Sequence, residues 1–224
     1  MPINLDNYGT SNIFKWDHDY LIKVLTTGYN RIVKNPRLVK ALKKIKREDF
    51  VSKEFKETIY SDIELDIGYG QKINRPTTVA YMLELLNPKV GGRVLEIGTG
   101  SGWTAALLAI MVGNLGIVYT IERLQYLIDI ARTNIEKYKL NNIEFVFRDG
   151  SNGLPERAPF DAIYTSVAFD RVPERIKDQL NIKGHMIVPT TDNNLTLITR
   201  ESKDKWNEKI FPGTIFDKIE TGIH

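Results

Sequence analysis

Residues 93–103, Arg-Val-Leu-Glu-Ile-Gly-Thr-Gly-Ser-Gly-Trp, decide how the rest of this 224-residue chain is organised. Arg93 to Ile97 carries the apolar Val94, Leu95 and Ile97, two of them β-branched, with no turn former among its residues, the composition of a short buried strand. Gly98, Gly100 and Gly102 follow at alternate positions, and 104–111 is almost wholly apolar, as expected of a helix packed on a sheet. A strand that turns through glycines into a buried helix sets backbone N–H groups against a ligand with no Cβ in the way. Further on, Glu122 closes a second predicted strand at 117–121, where a carboxylate can accept hydrogen bonds from both ribose hydroxyls of a nucleoside. The stretch predicts a nucleoside-cofactor site.

Spacing narrows the cofactor. Dinucleotide fingerprints run G-x-G-x-x-G and set a pyrophosphate against the helix N-terminus. Here the run is Gly98-x-Gly100-x-Gly102, one residue tighter, with Glu96 just before it. That form suits S-adenosylmethionine, which carries no phosphate and needs its amino-acid end held in a snug turn. Glycine turns of this kind also occur with no ligand; Glu122 and the later Asp149-Gly150 are what favour a bound nucleoside.

Composition bounds the rest. Hydrophobic content of 42% and charged content of 26% are ordinary for a globular protein, and the length suits a single structural domain. The expected division is an N-terminal helical region, 1–60, packed on a cofactor-binding core, 61–224. A net charge of +3 is no nucleic-acid signal by itself. With no cysteine, disulfides, thiolate nucleophiles and Cys-ligated metals are excluded. His18, His185 and His224 lack metal-ligand spacing, so no metal is expected. Nothing resembles a signal peptide or a membrane span, so the default compartment is the cytoplasm, and a monomer is expected.

Residues 1–19, with Phe14 and Trp16 among them, read equally as a packed arm or a loose tail. A helix is expected over 21–32, then a second opened by Asn35 as N-cap and Pro36 at the first helical position. Leu38, Leu42 and Ile45 share one face of it. From Arg31 to Arg47 there are eight Lys or Arg and no acid; the solvated side of an amphipathic helix explains them better than a nucleic-acid or membrane patch. The stretch 60–76 is a long connection with little periodicity, and such stretches inside compact domains are usually functional. A helix at 77–86 follows, with Val79, Met82, Leu83 and Leu86 on its buried face. Beyond Glu122 we expect a helix over 124–140, strands at 143–147 and 160–166, a helix at 173–180, and two strands, 184–189 and 195–200, joined as an antiparallel hairpin. Alternating βα units closed by a hairpin make a Rossmann-like, doubly wound, mostly parallel α/β sheet.

Several stretches together resemble the protein-L-isoaspartate (D-aspartate) O-methyltransferase family. They are Arg47-Glu48-Asp49-Phe50-Val51, Asp66-Ile67-Gly68-Tyr69-Gly70-Gln71, the 95–103 motif, Val146 to Gly150 with Ser151, Asp161-Ala162-Ile163, and 184–189. The resemblance spans roughly 30–200. It implies a class I methyltransferase fold, S-adenosylmethionine as cofactor, and methyl transfer to the α-carboxylate of an isoaspartyl residue in a damaged polypeptide, whose ester then closes to a succinimide. A carboxylate acceptor is ionised at neutral pH and needs no general base, so positioning and water exclusion suffice.

Residue by residue, the resemblance implies that Glu96, Gly98, Thr99, Gly100 and Ser101 line the methionine portion and that Glu122 holds the ribose. Asp149 and Gly150 would meet the adenine, with Arg123 also among the cofactor contacts. Gln71, Arg75, Val79 and Asn194 would lie on the substrate side, with Lys72, Ile73 and Asn74 at the catalytic position. Two departures stand out. Where the family has Gln-Thr-Ile-Ser-x-Pro, this chain has Gln71-Lys72-Ile73-Asn74-Arg75-Pro76; the Asn74 amide can donate a hydrogen bond as the serine would, and Lys72 with Arg75 adds positive charge that favours an acidic peptide. A Phe-Val-Pro-Leu-like segment bordering the peptide site becomes Ile215-Phe216-Asp217-Lys218-Ile219. Three alternatives stay open from sequence: a carboxyl methyltransferase dedicated to one protein or peptide, a cofactor binder without catalysis, and, least favoured, a nucleic-acid methyltransferase using the basic helix.

Overall fold

The structure, a computed structural model, describes residues 17–29, 31–213 and 216–223. Of the stretch 1–19, read as an arm or a tail, residues 1–16 with Phe14 and Trp16 lie outside the described residues, as do the expectations on Ile215 and His224.

Two short helices, α1 (His18–Thr26) and α2 (Pro36–Lys44), precede a hairpin of β1 (Leu65–Gly68) and β2 (Gln71–Ile73) and then α3 (Pro76–Leu86). Strand and helix next alternate through β3 (Arg93–Ile97), α4 (Trp103–Val112), β4 (Ile117–Glu122), α5 (Gln125–Glu136), β5 (Ile143–Phe147), β6 (Phe160–Thr165), α6 (Glu174–Lys177) and β7 (Leu180–Thr190). β8 (Asn194–Ser202) and β9 (Lys205–Pro212) close the sheet. Its order is β5-β4-β3-β6-β7-β8-β9, parallel as far as β7 and antiparallel thereafter. The chain leaves β3 toward β4 and β5 on one side, and later returns to β6 and β7 on the other. The crevice at the C-terminal end of β3 is therefore the topological switch point at which such sheets bind ligands.

The pleat sorts the core into two layers. Val94, Val118, Ala162, Tyr164 and Ile187 point toward α1 to α4, while Leu95, Ile97, Tyr119, Ile121, Ile163 and Met186 face Leu154, Phe169, Ile176 and Leu180. α4 is buried nearly all round, which is why its sequence is apolar without a stripe. The expected caps form: the Asn35 side chain accepts from the N–H of Arg37 at 2.9 Å ahead of Pro36. Lys40, Lys43, Lys44 and Lys46 are exposed.

Several expectations need correction. α1 stops at Thr26, not at 32, because Thr27 takes up extended backbone. α5 ends at Glu136, short of 140, with Lys139 at positive φ just beyond. The helix expected at 173–180 is only Glu174–Lys177, since Leu180 already belongs to an 11-residue β7. The unperiodic stretch at 60–76 contains the β1–β2 hairpin, whose turn places Tyr69 at φ 55. β9 was not expected at all; it is an edge strand exposed along most of its length, so it carries no alternation to detect. Among the described residues no helix is long and apolar enough to cross a membrane.

Candidate functional site

The glycine turn after β3 is held from several sides. A Cβ on Gly98, at φ 91, would run into the Ser166 hydroxyl, and one on Gly102, also at φ 91, would come within 3.0 Å of Ala131 and Ile135 on α5. The N–H groups of Gly98 and Thr99 both donate to the Ile121 carbonyl, at 2.9 and 3.0 Å. Gly100 donates to the Glu122 carboxylate at 3.0 Å, and Gly102 to the Thr99 carbonyl at 3.0 Å. This corrects the expectation that these amides face a ligand. The glycines supply close approach, and the turn offers no nest of free N–H groups to a pyrophosphate. That suits a nucleoside cofactor without phosphates, as the spacing predicted.

Glu122 is 7% exposed at the end of β4, and its carboxylate accepts from three backbone N–H groups: Gly100, Arg123 at 2.8 Å and Leu124 at 3.1 Å. A carboxylate has about four acceptor positions, so roughly one is left for a ribose hydroxyl. Glu122, Arg123 and Gly150 line a cleft of about 740 Å³, counting the part open to solvent, beside the apolar Ile97, Ile121 and Leu127. Asp149 sits just behind, accepting from the N–H of Ser151 at 2.8 Å and of Gly222 at 2.7 Å. Burial pushes its carboxyl up, but the bonds from Gly222 and Ser151 outweigh that and hold it below the usual carboxylate range. Glu220, on the same C-terminal segment as Gly222, pairs with Arg123. That segment is anchored to the loop after β6, where Ala168 donates to the Asp217 carbonyl and Ile219 to the Ala168 carbonyl, both at 2.8 Å.

Glu96 does not open on the cleft. It is fully buried on the α4 side of the sheet, where Oε2 accepts from Thr120 at 2.6 Å and Thr120 meets Thr99 at 2.6 Å. The chain Glu96–Thr120–Thr99 thus supports the turn from beneath. Ser101 is buried as well, its carbonyl accepting from Asn134 at 3.0 Å. Burial pushes the Glu96 carboxyl up to about 8, against the Thr120 bond, which lowers it. A carboxyl raised in the folded state keeps its proton where the unfolded chain has lost it. Its stabilising contribution is therefore full below the unfolded value of 4.5 and falls as pH rises toward about 8. Glu96→Gln, which cannot ionise, is expected to remove that slope of up to ~1.4 kcal/mol per pH unit and to be the more stable form at pH 8. Melting both proteins without ligand from pH 5 to 8.5 checks this; parallel curves would refute it.

On the acceptor side, Gln71, Lys72 and Asn74 line the cleft. Asn74 is half-buried, and its amide donates to the Ser166 carbonyl at 3.4 Å. Ser166 in turn donates its hydroxyl to the carbonyls of Ile97 at 3.1 Å and Gly98 at 2.9 Å. One residue therefore links the predicted acceptor side chain to the glycine turn. From behind, the buried Arg47 donates to the carbonyls of Ile59 at 2.9 Å, Ile63 at 3.1 Å and Asn74 at 2.7 Å, with its guanidinium 5.1 Å from the centre of the Trp103 ring. Ile73, predicted at the catalytic position, and the other predicted substrate-side residues lie elsewhere. Ile73 and Val79 are buried in the core, Arg75 is exposed at the start of α3, and Asn194 begins β8 with its amide on Asp192.

Sequence reasoning missed Ser166, Arg148 and Glu220, and it placed Asp217 only within a segment bordering the peptide site. Ser166 had a signal, since it ends a strand adjacent to β3 at the carboxyl edge of a parallel sheet. Glu220 had none, because only the fold carries it across to Arg123. Among the described residues no group of three or more His, Asp or Glu is placed to hold a metal ion.

Comparison with known proteins adds independent evidence. Residues 17–218 match the family model described as protein-L-isoaspartate(D-aspartate) O-methyltransferase. The chain is 39% identical over 182 residues to a protein-L-isoaspartate O-methyltransferase of Methanococcoides burtonii, covering 80% of this chain and 90% of that one. It is 40% identical over 171 residues to its namesake in Fervidobacterium nodosum, covering 75% and 86%. A solved protein-L-isoaspartate O-methyltransferase superposes with a TM-score of 0.79 at 30% identity; the match covers 90% of this chain and 65% of that longer one. A Plasmodium falciparum structure titled as a putative protein of the same kind, in complex with S-adenosyl-L-homocysteine, has a TM-score of 0.78 at 22% identity, covers 91% of this chain and 98% of that one, and shows the shared fold.

Proposed function

The chain belongs to the protein-L-isoaspartate(D-aspartate) O-methyltransferase family, and on that premise we infer that it moves the methyl group of S-adenosylmethionine to the α-carboxylate of L-isoaspartyl or D-aspartyl residues in polypeptides. Ester formation there leads to the succinimide through which such a residue is repaired. The cofactor, when bound, supplies an electrophilic methyl on a sulfonium.

The chain's own residues bind and orient. We assign Glu122 to the ribose, the turn at Gly98 and Gly100 to the methionine portion, and the Gly150 region, beside Asp149 and Arg123, to the adenine. Glu96 and Thr99 hold the turn through Thr120 without touching ligand. Asn74 donates to the acceptor carboxylate, whose oxygen is ionised at neutral pH and needs no base, so alignment and exclusion of water are the whole task. The observation that carries the reading is the convergence on Ser166. Its hydroxyl is on the glycine turn and its carbonyl is on Asn74, so acceptor and cofactor sides are set by one residue. We also take residues 1–60 and 61–224 as one structural unit, acting as a cytoplasmic monomer.

The test is methyl transfer from labelled S-adenosylmethionine to a short isoaspartyl peptide beside its normal aspartyl twin. Transfer to the isoaspartyl peptide alone is expected. In Asn74→Ala the rate should drop on the order of 10- to 100-fold, the worth of one hydrogen bond to a charged group, while cofactor affinity stays within about twofold. No transfer by the wild-type protein with cofactor binding intact would sink the reading.

A further inference from the structure

Charge accounting around the cleft leaves two groups over. Of the cations lining it, Arg123 pairs with Glu220, Arg148 with Glu156 at 2.6 Å, and Lys218 with Asp170 at 2.7 Å. Of the anions, Glu122 is satisfied by three backbone N–H groups and Glu220 by Arg123. Lys72 and Asp217 line the same cleft, and among the described residues neither side chain has an ionic or hydrogen-bonding partner, nor do they pair with each other. Unpaired charges are common on exposed surface. What singles these out is that every other charged group in the cleft is already answered.

They also sit on different covering segments, Lys72 on β2 and Asp217 on the C-terminal segment. Neither charge suits the reacting carboxylate itself. An ammonium clamped on that oxygen would draw off the electron density with which it attacks, and a second carboxylate would repel it. Each is better matched by a side chain flanking the acceptor.

We propose that Lys72 and Asp217 form a charge-selective peptide site, so that this enzyme prefers isoaspartyl sites with an acidic residue on one side and a basic residue on the other. The inference rests on the carboxyl methyl transfer proposed above and adds the class of sequence selected. Exposed ion pairs are individually weak, so the selectivity appears as a ratio: exchanging two attractions for two repulsions changes kcat/KM by about tenfold at low salt. It shrinks as salt screens the charges.

The experiment uses three isoaspartyl peptides: acid–isoaspartyl–base, the same residues with the flanks exchanged, and a neutral one flanked by glutamines. Wild-type enzyme is expected to favour one order over the other by about tenfold. The double reversal Lys72→Glu with Asp217→Lys should invert the preference. Lys72→Thr and Asp217→Asn, each compared only through its own ratio of the two orders, should each reduce it to about threefold. Equal use of both orders by wild type, or a preference that all these variants leave unchanged, overturns the inference while methylation of the neutral peptide leaves the reaction standing. Failure to methylate any of the three, with cofactor still bound, overturns the reaction and the inference together.

Discussion

Arg47→Met is expected to destabilise the protein by on the order of 3–5 kcal/mol. Arg47 is 1% exposed, and its guanidinium has no carboxylate partner among the described residues; its N–H groups serve the carbonyls of Ile59, Ile63 and Asn74. Burial pushes its pKa down to about 9, with Asp62 holding it up, so it is charged at neutral pH. Removing it leaves three carbonyls without donors, at ~1–3 kcal/mol each where water cannot reach, offset in part because a charge no longer has to be buried. Methionine fills much of the volume, which confines the loss to the polar contacts. Arg47→Lys should recover only part of it, since one ammonium cannot reproduce a planar fork aimed at three acceptors. Urea unfolding with an unchanged m-value would measure this. A loss below about 1 kcal/mol would mean that the carbonyls find other donors and that Arg47 does not pin the 59–74 segment.

The second large effect lies at Glu122. Glu122→Ala removes the acceptor of three N–H groups, one of them on the glycine turn and two where β4 gives way to α5. Losing both those bonds and the proposed ribose contact should weaken cofactor binding by about 100-fold or more, equivalent to ~3 kcal/mol. Glu122→Gln should fall between, because its carbonyl oxygen can keep some of the three donors while its NH2 is set against the others. Calorimetric titration with S-adenosylhomocysteine reads this directly. A change under about fivefold in Glu122→Ala would remove Glu122 from the cofactor site.

Much of this was legible from residue order. β3, the glycines, α4 and β4 could be placed because each carries an unambiguous local pattern: an apolar run, alternate glycines, an apolar helix, an acid at a strand end. The hairpin at 65–73 was not legible, since its turn is Tyr69-Gly70, both at positive φ, with a tyrosine where such turns usually carry Asn or Asp. β9 escaped because Lys205, Asn207, Glu208, Lys209 and Ile210 are all exposed, so burial imposes no period on them. At the site, sequence could nominate Glu122 and Asn74 but not Ser166 or Arg47 as the supports of Asn74. Those links join residues 92 and 27 positions apart, and only the closed fold brings them together. Nor could it show that Glu96 lies beneath the turn, because the strand pleat sends alternate side chains to opposite faces and the cleft borders only one end.

The turn from Gly98 to Gly102 has its backbone secured by three separate parts of the chain: the Ile121 carbonyl and Glu122 at the end of β4, Ser166 after β6, and Asn134 on α5. Its shape is consequently settled when the sheet forms, before any ligand arrives. A ligand entering this cleft does not have to order the loop it touches, so the entropy of fixing those residues belongs to folding and is absent from the binding equilibrium.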